Sequence, residues 1–226
     1  VEFQPMTTRL PWPLIRTVLL DMDGTLLDLY FDNHFWRELV PARYAEQHRL
    51  RLDQARAEVA ARAWIIEGTL DWYCLDYWTR ELTLDIVALK REIRHLIAVH
   101  PYVLDFLDAL RTAQRRVVLV TNAHPQSLEL KMEKTQLTDR FDAIVCAHKL
   151  GLVKEQPEFW PRLREQEPFE PTTTLLVDDN FSILRTARSY GIAHLVSVLW
   201  SDSTQPPRLP GEFSAVHDFS ELLPVD

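Results

Sequence analysis

Cysteines, long apolar runs and clustered basic residues are all scarce in this chain, and each scarcity argues against a class of protein. The two cysteines, Cys74 and Cys146, are too far apart in sequence to indicate a disulfide framework, so we expect reduced thiols and a cytoplasmic setting. No apolar run approaches the roughly 20 residues of a membrane span, and the first sixteen residues lack the apolar stretch of a secretory signal. The net charge is −8 without a dense Lys/Arg block, which argues against binding to a nucleic acid polymer.

The chain does have the composition of a globular protein, with 46% hydrophobic and 26% charged residues in 226. This length predicts one large domain, or a core with a modest insertion. Short apolar runs, typical of parallel strands covered on both faces, occur at residues 18–20, 117–120, 143–147, 175–177 and 193–198. Helical periodicity separates them, so we predict an α/β fold with parallel strands and right-handed crossovers.

One interval breaks this alternation of strands and helices. About seventy residues with helical patterning and dense aromatics separate the first strand from the helix near Tyr102, far more than an ordinary connection holds. We expect a helical cap, residues 29–100, inserted into an α/β core made of residues 1–28 and 101–226. Ligands of such sheets bind outside the carboxyl ends of the strands, so this cap would cover the site.

Asp21 and Asp23 follow the first predicted strand and lead into Gly24. Residues i and i+2 of an extended chain point the same way, so both carboxylates should face one small volume. Two close carboxylates repel unless a cation lies between them or one stays protonated. The pair suits metal-assisted chemistry on a phosphate, with one acid as nucleophile and the other as proton carrier. By itself, the pattern also fits an ordinary acidic turn.

Further residues capable of chemistry follow the other predicted strands. The second strand is followed by Thr121 and Asn122, the third by Lys154, and the fourth by Asp178 and Asp179. A parallel sheet brings these strand ends together, so residues more than 150 positions apart should line one pocket.

This ordered set resembles the haloacid dehalogenase superfamily of phosphohydrolases, over residues 17–223. The motifs are an Asp-x-Asp-Gly-Thr loop, a Thr after the second strand, a Lys in a Gly-x-x-Lys context, and a late acidic pair. The resemblance implies a Rossmann-like core with a mobile cap and a bound Mg2+ ion. Phosphoryl transfer needs positioning and charge neutralisation, and Mg2+ prefers oxygen ligands, so the chemistry agrees.

The resemblance also implies a role for each matched residue. Asp21 would attack phosphorus and form an aspartyl-phosphate, while Asp23 would protonate the leaving alcohol and then deprotonate the hydrolytic water. Thr121 would bind phosphoryl oxygens, and Lys154 would neutralise charge shared with Asp21. Asp178 would complete the metal site with Asp21 and the carbonyl group of Asp23.

Two assignments stay open at this point. Lys149 also follows the third strand, although spacing from Gly151 favours Lys154. Many relatives carry proline after this lysine, where the present chain has Glu155. Asp179 is either part of the metal site or a cap for the next helix.

Two aromatic clusters in the cap, residues 31–36 and 72–78, together with residues 121–125 and 151–155, resemble the bacterial GMP/IMP nucleotidase group. That resemblance implies hydrolysis of a purine 5'-nucleotide monophosphate, with aromatic stacking on the base worth about 1–3 kcal/mol. Asp76 would accept hydrogen bonds from a purine N–H edge, and Asn33 would approach the substrate beside the phosphate. The alternative for any one aromatic is packing within the cap, and for His124 a loop position before the next helix.

Three functions therefore remain to be compared. The first is a Mg2+-dependent phosphatase of a purine nucleotide, and the second is a phosphatase of a sugar phosphate or phosphoglycolate-type substrate. The third is a catalytically silent relative that binds a ligand or partner. An acid at Asp23 favours a phosphate ester, because the resemblance implies that a dehalogenase needs no acid there. A phosphonatase would need a cap lysine, and the cap holds only Lys90, near its far end.

Overall fold

The computed structural model describes residues 10–225 and confirms the α/β class. Residues 1–9 of the predicted core segment 1–28, and residue 226, lie outside the described residues. Six strands form one parallel sheet in the order β3-β2-β1-β4-β5-β6. The strands are β1 Thr17–Leu20, β2 Arg116–Thr121, β3 Ala143–Cys146, β4 Thr174–Asp178, β5 His194–Val198 and β6 Ser214–Val216.

Helices pack on both faces of the sheet and make up most of the segment between β1 and β2. They are α1 Tyr30–His34, α2 Val40–His48, α3 Leu52–Ile66, α4 Leu70–Tyr73, α5 Leu75–Leu82, α6 Ile86–Glu92, α7 Val103–Thr112, α8 Pro125–Thr135, α9 Ala147–Leu150, α10 Phe159–Gln166 and α11 Phe181–Tyr190. A π-helical turn, Phe35–Leu39, joins α1 to α2. Within the described part of the chain, no helix is long and apolar enough to cross a membrane.

The five predicted strands are all present, with no end shifted by more than one residue. The sixth strand, β6, was not predicted, because a three-residue Ser-Ala-Val run carries almost no periodicity. It pairs with β5 in parallel, with Val198 opposite Val216. The predicted C-terminal element is a 3-10 turn, Phe219–Leu222.

The sheet is buried on both faces, which explains why its strands are almost continuously apolar. In β1, Val18 and Leu20 point into one hydrophobic layer and Leu19 into the other, and all three are fully buried. Trp160 fills the layer behind Leu19. The layer around Val18 continues without interruption into the cap.

The register of the three central strands places their carboxyl ends side by side. Leu20 pairs with Leu119 on β2 and with Val177 on β4. The residues that follow these positions therefore leave the sheet at one edge. Residues 30–96, which stand over this edge, are helical, and the exact cap boundaries of 29 and 100 stay a prediction.

Candidate active site

The loop after β1 is tightly wound and brings its backbone against the end of β4. The carbonyl group of Met22 accepts hydrogen bonds from the amides of Leu26 and Leu27, at 3.0 and 2.8 Å. Gly24 has a φ of +84°, which L residues rarely adopt, and a Cβ there would lie 2.7 Å from a carboxylate oxygen of Asp179. Glycine is therefore required at this position for both its conformation and its small size.

Lys154 lies at the centre of the site. Its ammonium donates to Asp21 Oδ1 at 2.5 Å, to Asp178 Oδ2 at 2.8 Å and to the Val120 carbonyl at 3.1 Å, which uses all three protons. Burial alone would lower the pKa of Lys154, but Asp178 and Asp21 outweigh it and hold the pKa above its usual value. The rival Lys149 is exposed on the far side of the turn. The structure therefore places Lys154 against Asp21, as the spacing from Gly151 predicted.

Three carboxylates converge beside this ammonium. Oxygens of Asp21, Asp178 and Asp179 lie within 4.8 Å of one another. Burial raises the pKa of Asp178 to about 7, a shift that Lys154 opposes and Asp21 reinforces. Burial and the charges of Asp21 and Asp178 raise the pKa of Asp179 well above its usual value. Asn180, not Asp179, caps the helix that begins at Phe181, because its side chain accepts from the Ser182 amide at 2.8 Å.

The charge of this cluster fits a divalent cation. Three carboxylates face the buried ammonium of Lys154, and the half-exposed Arg208 lies 3.5 Å from Asp179. The carboxylates therefore outnumber the two cationic side chains by one. Hard oxygen ligands of this kind are those that Mg2+ prefers. The donor set therefore suits Mg2+, with Asp21, Asp178 and Asp179 as carboxylate ligands. The metal role expected for Asp23 rests on its backbone carbonyl and stays a prediction.

The ends of β2 and β3 are joined by side-chain hydrogen bonds. Asn122 accepts from the Lys154 amide at 3.0 Å and donates to Glu155 at 2.8 Å. Thr121 is buried, and its Oγ1 accepts from the Ala123 amide at 3.0 Å. Glu155 also accepts from the hydroxyl group of Tyr73 in the cap at 2.8 Å. Glu155 thus links the loop that carries Lys154 to the cap.

Asp23 belongs to an ion network that the sequence did not reveal. Its Oδ1 accepts from Lys131 at 2.6 Å, Lys131 also binds Asp32 at 2.6 Å, and Asp32 binds Lys90 at 2.6 Å. Two carboxylates and two ammonium groups make this quartet neutral. Burial raises the pKa of Asp23 to about 6, against the influence of Lys131. Burial alone would raise the pKa of Asp32, but Lys131 and Lys90 hold it well below its usual range.

Local sequence patterns do not predict these four ion-paired residues. Lys131 lies 108 positions from Asp23 in a helix of mixed polarity, and such a residue normally points to solvent. Lys90, which sequence placed near the far end of the cap, lies over the rings of Phe31 and Phe35, 4.9 and 4.5 Å from their centres.

A cavity of about 910 Å3 joins the strand ends to the cap. The core contributes catalytic candidates to its wall, and the cap contributes aromatic, aliphatic and charged side chains. Wall residues include Asp21, Asp23, Thr121, Asn122, Lys154, Asp178, Asp179, Asn33, Trp36, Trp72, Tyr73 and Lys90. This volume lies at the upper end of the range for small-molecule sites, so it has room for a substrate larger than a two-carbon acid.

The predicted cap contacts divide into two groups. Asn33 lines the cavity and donates to Asp202 at 2.6 Å. Asp76 lies outside the cavity wall with its side chain 67% exposed, 3.6 Å from His124 Nε2. His124 caps α8, accepting from the Gln126 amide at 3.4 Å, which is the loop position expected for it. The catalytic candidates and Asn33 therefore share one cavity, whereas Asp76 does not reach it.

The family is decided by comparison with known proteins. The haloacid dehalogenase-like hydrolase family profile matches residues 15–191. The chain belongs to this family. This haloacid dehalogenase-like hydrolase is 35% identical to the GMP/IMP nucleotidase YrfG of Escherichia coli (strain K12) over 219 residues, 97% of this chain and 99% of that protein. It is 30% identical over 187 residues to the phosphoglycolate phosphatase of Nitrosospira multiformis, covering 78% of this chain and 80% of that protein.

Solved structures share the haloacid dehalogenase-like fold. The structure of a HAD phosphatase from Thermococcus onnurineus superposes with a TM-score of 0.76 at 22% identity, covering 92% of this chain and 96% of that chain. At this level of identity the likeness concerns the fold alone. It agrees with the predicted Rossmann-like core.

Proposed function

We propose that this phosphatase hydrolyses purine 5'-nucleotide monophosphates, of the GMP or IMP type, in a Mg2+-dependent reaction. The chain is a phosphoric monoester hydrolase by family and by its named relatives. One observation carries the finer proposal: the carboxylates bound by Lys154 and the aromatic side chains of the cap line the same cavity. These aromatic residues, called the aromatic wall below, are Trp36, Trp72, Tyr73 and Trp78. Both cysteines are free thiols, which supports the expected reducing, cytoplasmic setting.

The chain's own residues divide the proposed reaction into two steps. Lys154 holds Asp21 Oδ1, so the carboxylate is oriented and its second oxygen is left to bond to phosphorus. Asp23 protonates the departing ribose oxygen, and an aspartyl-phosphate remains on Asp21. Asp23 then takes a proton from the water that hydrolyses this intermediate.

Thr121 and Asn122 lie where the phosphoryl group would sit, beside the ends of β1 and β2. We propose that Thr121 and neighbouring amides hold the phosphoryl oxygens, with Asn33 approaching from the cap. Asp21, Asp178 and the Asp23 carbonyl, with Asp179 beside them, would hold Mg2+, which would neutralise charge on the phosphoryl oxygens.

Recognition of the base is assigned to the aromatic wall. Trp78 is 2% exposed and packs 5.2 Å from Trp36, so these rings build the cap itself. Trp72 is half-buried and lines the cavity, and within residues 10–225 its indole makes no stacking contact with another ring. We propose Trp72 as the ring that stacks on the purine. Asp76, outside the cavity, is not included among these contacts.

A phosphoglycolate-type substrate is the second candidate, because one curated relative at 30% identity carries that name. A panel of purine and pyrimidine 5'-nucleotides, sugar phosphates and phosphoglycolate, assayed for phosphate release with and without EDTA, separates the candidates. We expect preference for purine nucleotides, loss of activity in EDTA and recovery with Mg2+. Preference for a sugar phosphate or phosphoglycolate would reject the purine assignment, and inactivity across the panel would reject the enzyme.

Two variants sharpen this experiment. Asp21→Asn should abolish turnover and leave the thermal unfolding temperature nearly unchanged, with the exposed Asp105→Asn as a control that retains activity. Trp72→Ala should raise the KM for a purine nucleotide roughly 5- to 150-fold, which corresponds to stacking worth about 1–3 kcal/mol. Trp64→Ala, in a cap tryptophan that is 78% exposed, should not change it.

A further inference from the structure

Three side chains suited to a soft or borderline metal meet at the seam between cap and core. Cys74 lies between α4 and α5 of the cap, His124 begins α8 of the core, and His148 belongs to α9. Their ligand atoms lie within 4.8 Å of one another, and the two imidazole rings meet edge to face with centres 5.0 Å apart. This cluster is separate from the Asp21, Asp178 and Asp179 carboxylates.

His148 lacks the partners that a buried imidazole normally has. Both of its ring nitrogens are buried, and among residues 10–225 neither has a hydrogen-bond partner. Burying polar atoms in this way costs free energy unless something binds them. Burial, together with His124, lowers the pKa of His148 to about 4, so the ring is neutral near pH 7 and its lone pair is available.

We propose that Cys74, His124 and His148 bind a Zn2+ ion that ties the cap to the core. One thiolate and two imidazoles are typical zinc ligands and poor ligands for Mg2+. Zn–S bonds of about 2.3 Å and Zn–N bonds of about 2.0–2.1 Å place tetrahedral ligand atoms roughly 3.3–3.6 Å apart. Separations of up to 4.8 Å reach that spacing through small side-chain rotations.

Asp76 is a candidate for the fourth ligand of the proposed zinc ion. Asp76 Oδ2 lies 3.6 Å from His124 Nε2 on an exposed side chain that is free to turn. The carboxylate therefore completes the tetrahedron, or a water does. On binding, the thiol of Cys74 gives its proton to solvent and becomes the thiolate ligand.

The ion would connect the cap to the core at His124, which lines the cavity that a substrate must enter. Cys74 follows Tyr73, whose hydroxyl already binds Glu155 of the core at 2.8 Å. A metal bond beside this contact strengthens the same junction. Zinc is therefore expected to hold the cap closed and to slow turnover.

Cobalt reports on this site because a thiolate ligand gives Co2+ an intense near-ultraviolet charge-transfer band, which carboxylate ligands do not. The full-length protein, with excess Mg2+ to occupy the carboxylate site, is titrated with Co2+ and then with Zn2+. We expect a thiolate band that saturates at one equivalent and disappears when Zn2+ displaces Co2+. Absence of the band would overturn the proposal.

Matched variants identify the ligands. Cys74→Ser keeps the helix N-cap, because serine accepts from the Tyr77 amide as the thiol does at 3.4 Å, and it should weaken Zn2+ binding by more than about 100-fold. His148→Gln should do the same. Cys146→Ser is the control, since Cys146 is the second free thiol, lies outside the cluster and donates to the Ala123 carbonyl at 3.1 Å. A band that survives Cys74→Ser, or is lost in Cys146→Ser, would refute the assignment.

A second measurement tests the tie between cap and core, and it needs only a substrate that the enzyme accepts. One equivalent of Zn2+ in excess Mg2+ should slow phosphate release by the wild type and leave Cys74→Ser unaffected. Equal slowing of both proteins would place the inhibitory zinc at the carboxylates and would reject the tie.

Discussion

Gly24→Ala should damage the active site far more than the fold. At a φ of +84°, alanine costs roughly 1–2 kcal/mol relative to glycine. The new methyl carbon would lie 2.7 Å from Asp179 Oδ2, whereas ordinary contact begins near 3.4 Å, so the carboxylate must withdraw by about 0.7 Å. Withdrawal is resisted, because the Asp179 amide donates to Thr25 Oγ1 at 3.1 Å and Arg208 binds the Asp179 carbonyl.

The expected magnitudes differ for activity and stability. Metal ligands tolerate errors of about 0.2 Å, and a misplacement of about 1 Å costs roughly 100-fold in rate. A forced shift of about 0.7 Å at Asp179 therefore predicts a loss of roughly 10- to 100-fold in kcat/KM. The backbone cost alone predicts a fall of roughly 2–8 °C in the unfolding temperature.

Phosphate release at several Mg2+ concentrations and thermal unfolding together separate these effects. The matched control is Gly68→Ala, because Gly68 has a φ of +77° and nothing within 4 Å of the added carbon. It should lose similar stability and keep full activity. Any loss of activity in Gly24→Ala that exceeds the control then belongs to the contact with Asp179.

A double variant provides the refutation. In an Asp179→Ala background the added methyl has no carboxylate to displace, so Gly24→Ala should cost little further activity. A full tenfold cost in that background would show that the methyl acts elsewhere. Full activity in the single variant would show that Asp179 does not need its observed position.

Three other expectations can be checked alongside. Lys131→Met should lower the free energy of unfolding by about 3–5 kcal/mol in denaturant titrations, because Asp23 loses its ion-pair partner and Asp32 keeps only Lys90; the exposed Lys134→Met should be nearly neutral, and equal effects would argue against the network. Tyr73→Phe should raise KM roughly fivefold with kcat little changed, the kinetic cost of one hydrogen bond to Glu155, while Tyr77→Phe should not. Mg2+ at about 100 times its Kd should raise the unfolding temperature by roughly 5–10 °C, and no shift would contradict a carboxylate metal site.

Much of the site was predictable because parallel sheets align the ends of their strands. Asp21, Thr121 and Asp178 each follow an apolar run, and the register places these ends side by side. Lys154 could be preferred over Lys149 by spacing alone. These features can be predicted without a structure, because they depend on local sequence patterns and on the rule that α/β sheets bind ligands at the carboxyl ends of their strands.

The remainder depends on how distant elements dock. Asp179 and Asn180 both satisfy the preferences of a helix cap, and only packing decides that Asn180 takes the role. The position of Asp76 outside the cavity depends on how α5 is oriented relative to the core, and the hydrophobic periodicity of a helix does not predict that orientation. The ion pairs of Lys131 join residues 99 and 108 positions apart, and their formation requires the cap to be seated.

The neutral quartet has a consequence for how this enzyme can be modified. Asp32 and Lys90 come from the cap and pair with each other, as do Asp23 and Lys131 of the core, and the Lys131–Asp32 contact joins the two pairs. A chimera that receives the cap of a relative must also receive a carboxylate for Lys131, or this buried ammonium loses one of its two partners beside Asp23. Grafting a new specificity onto this scaffold therefore requires a cap that keeps a carboxylate opposite Lys131.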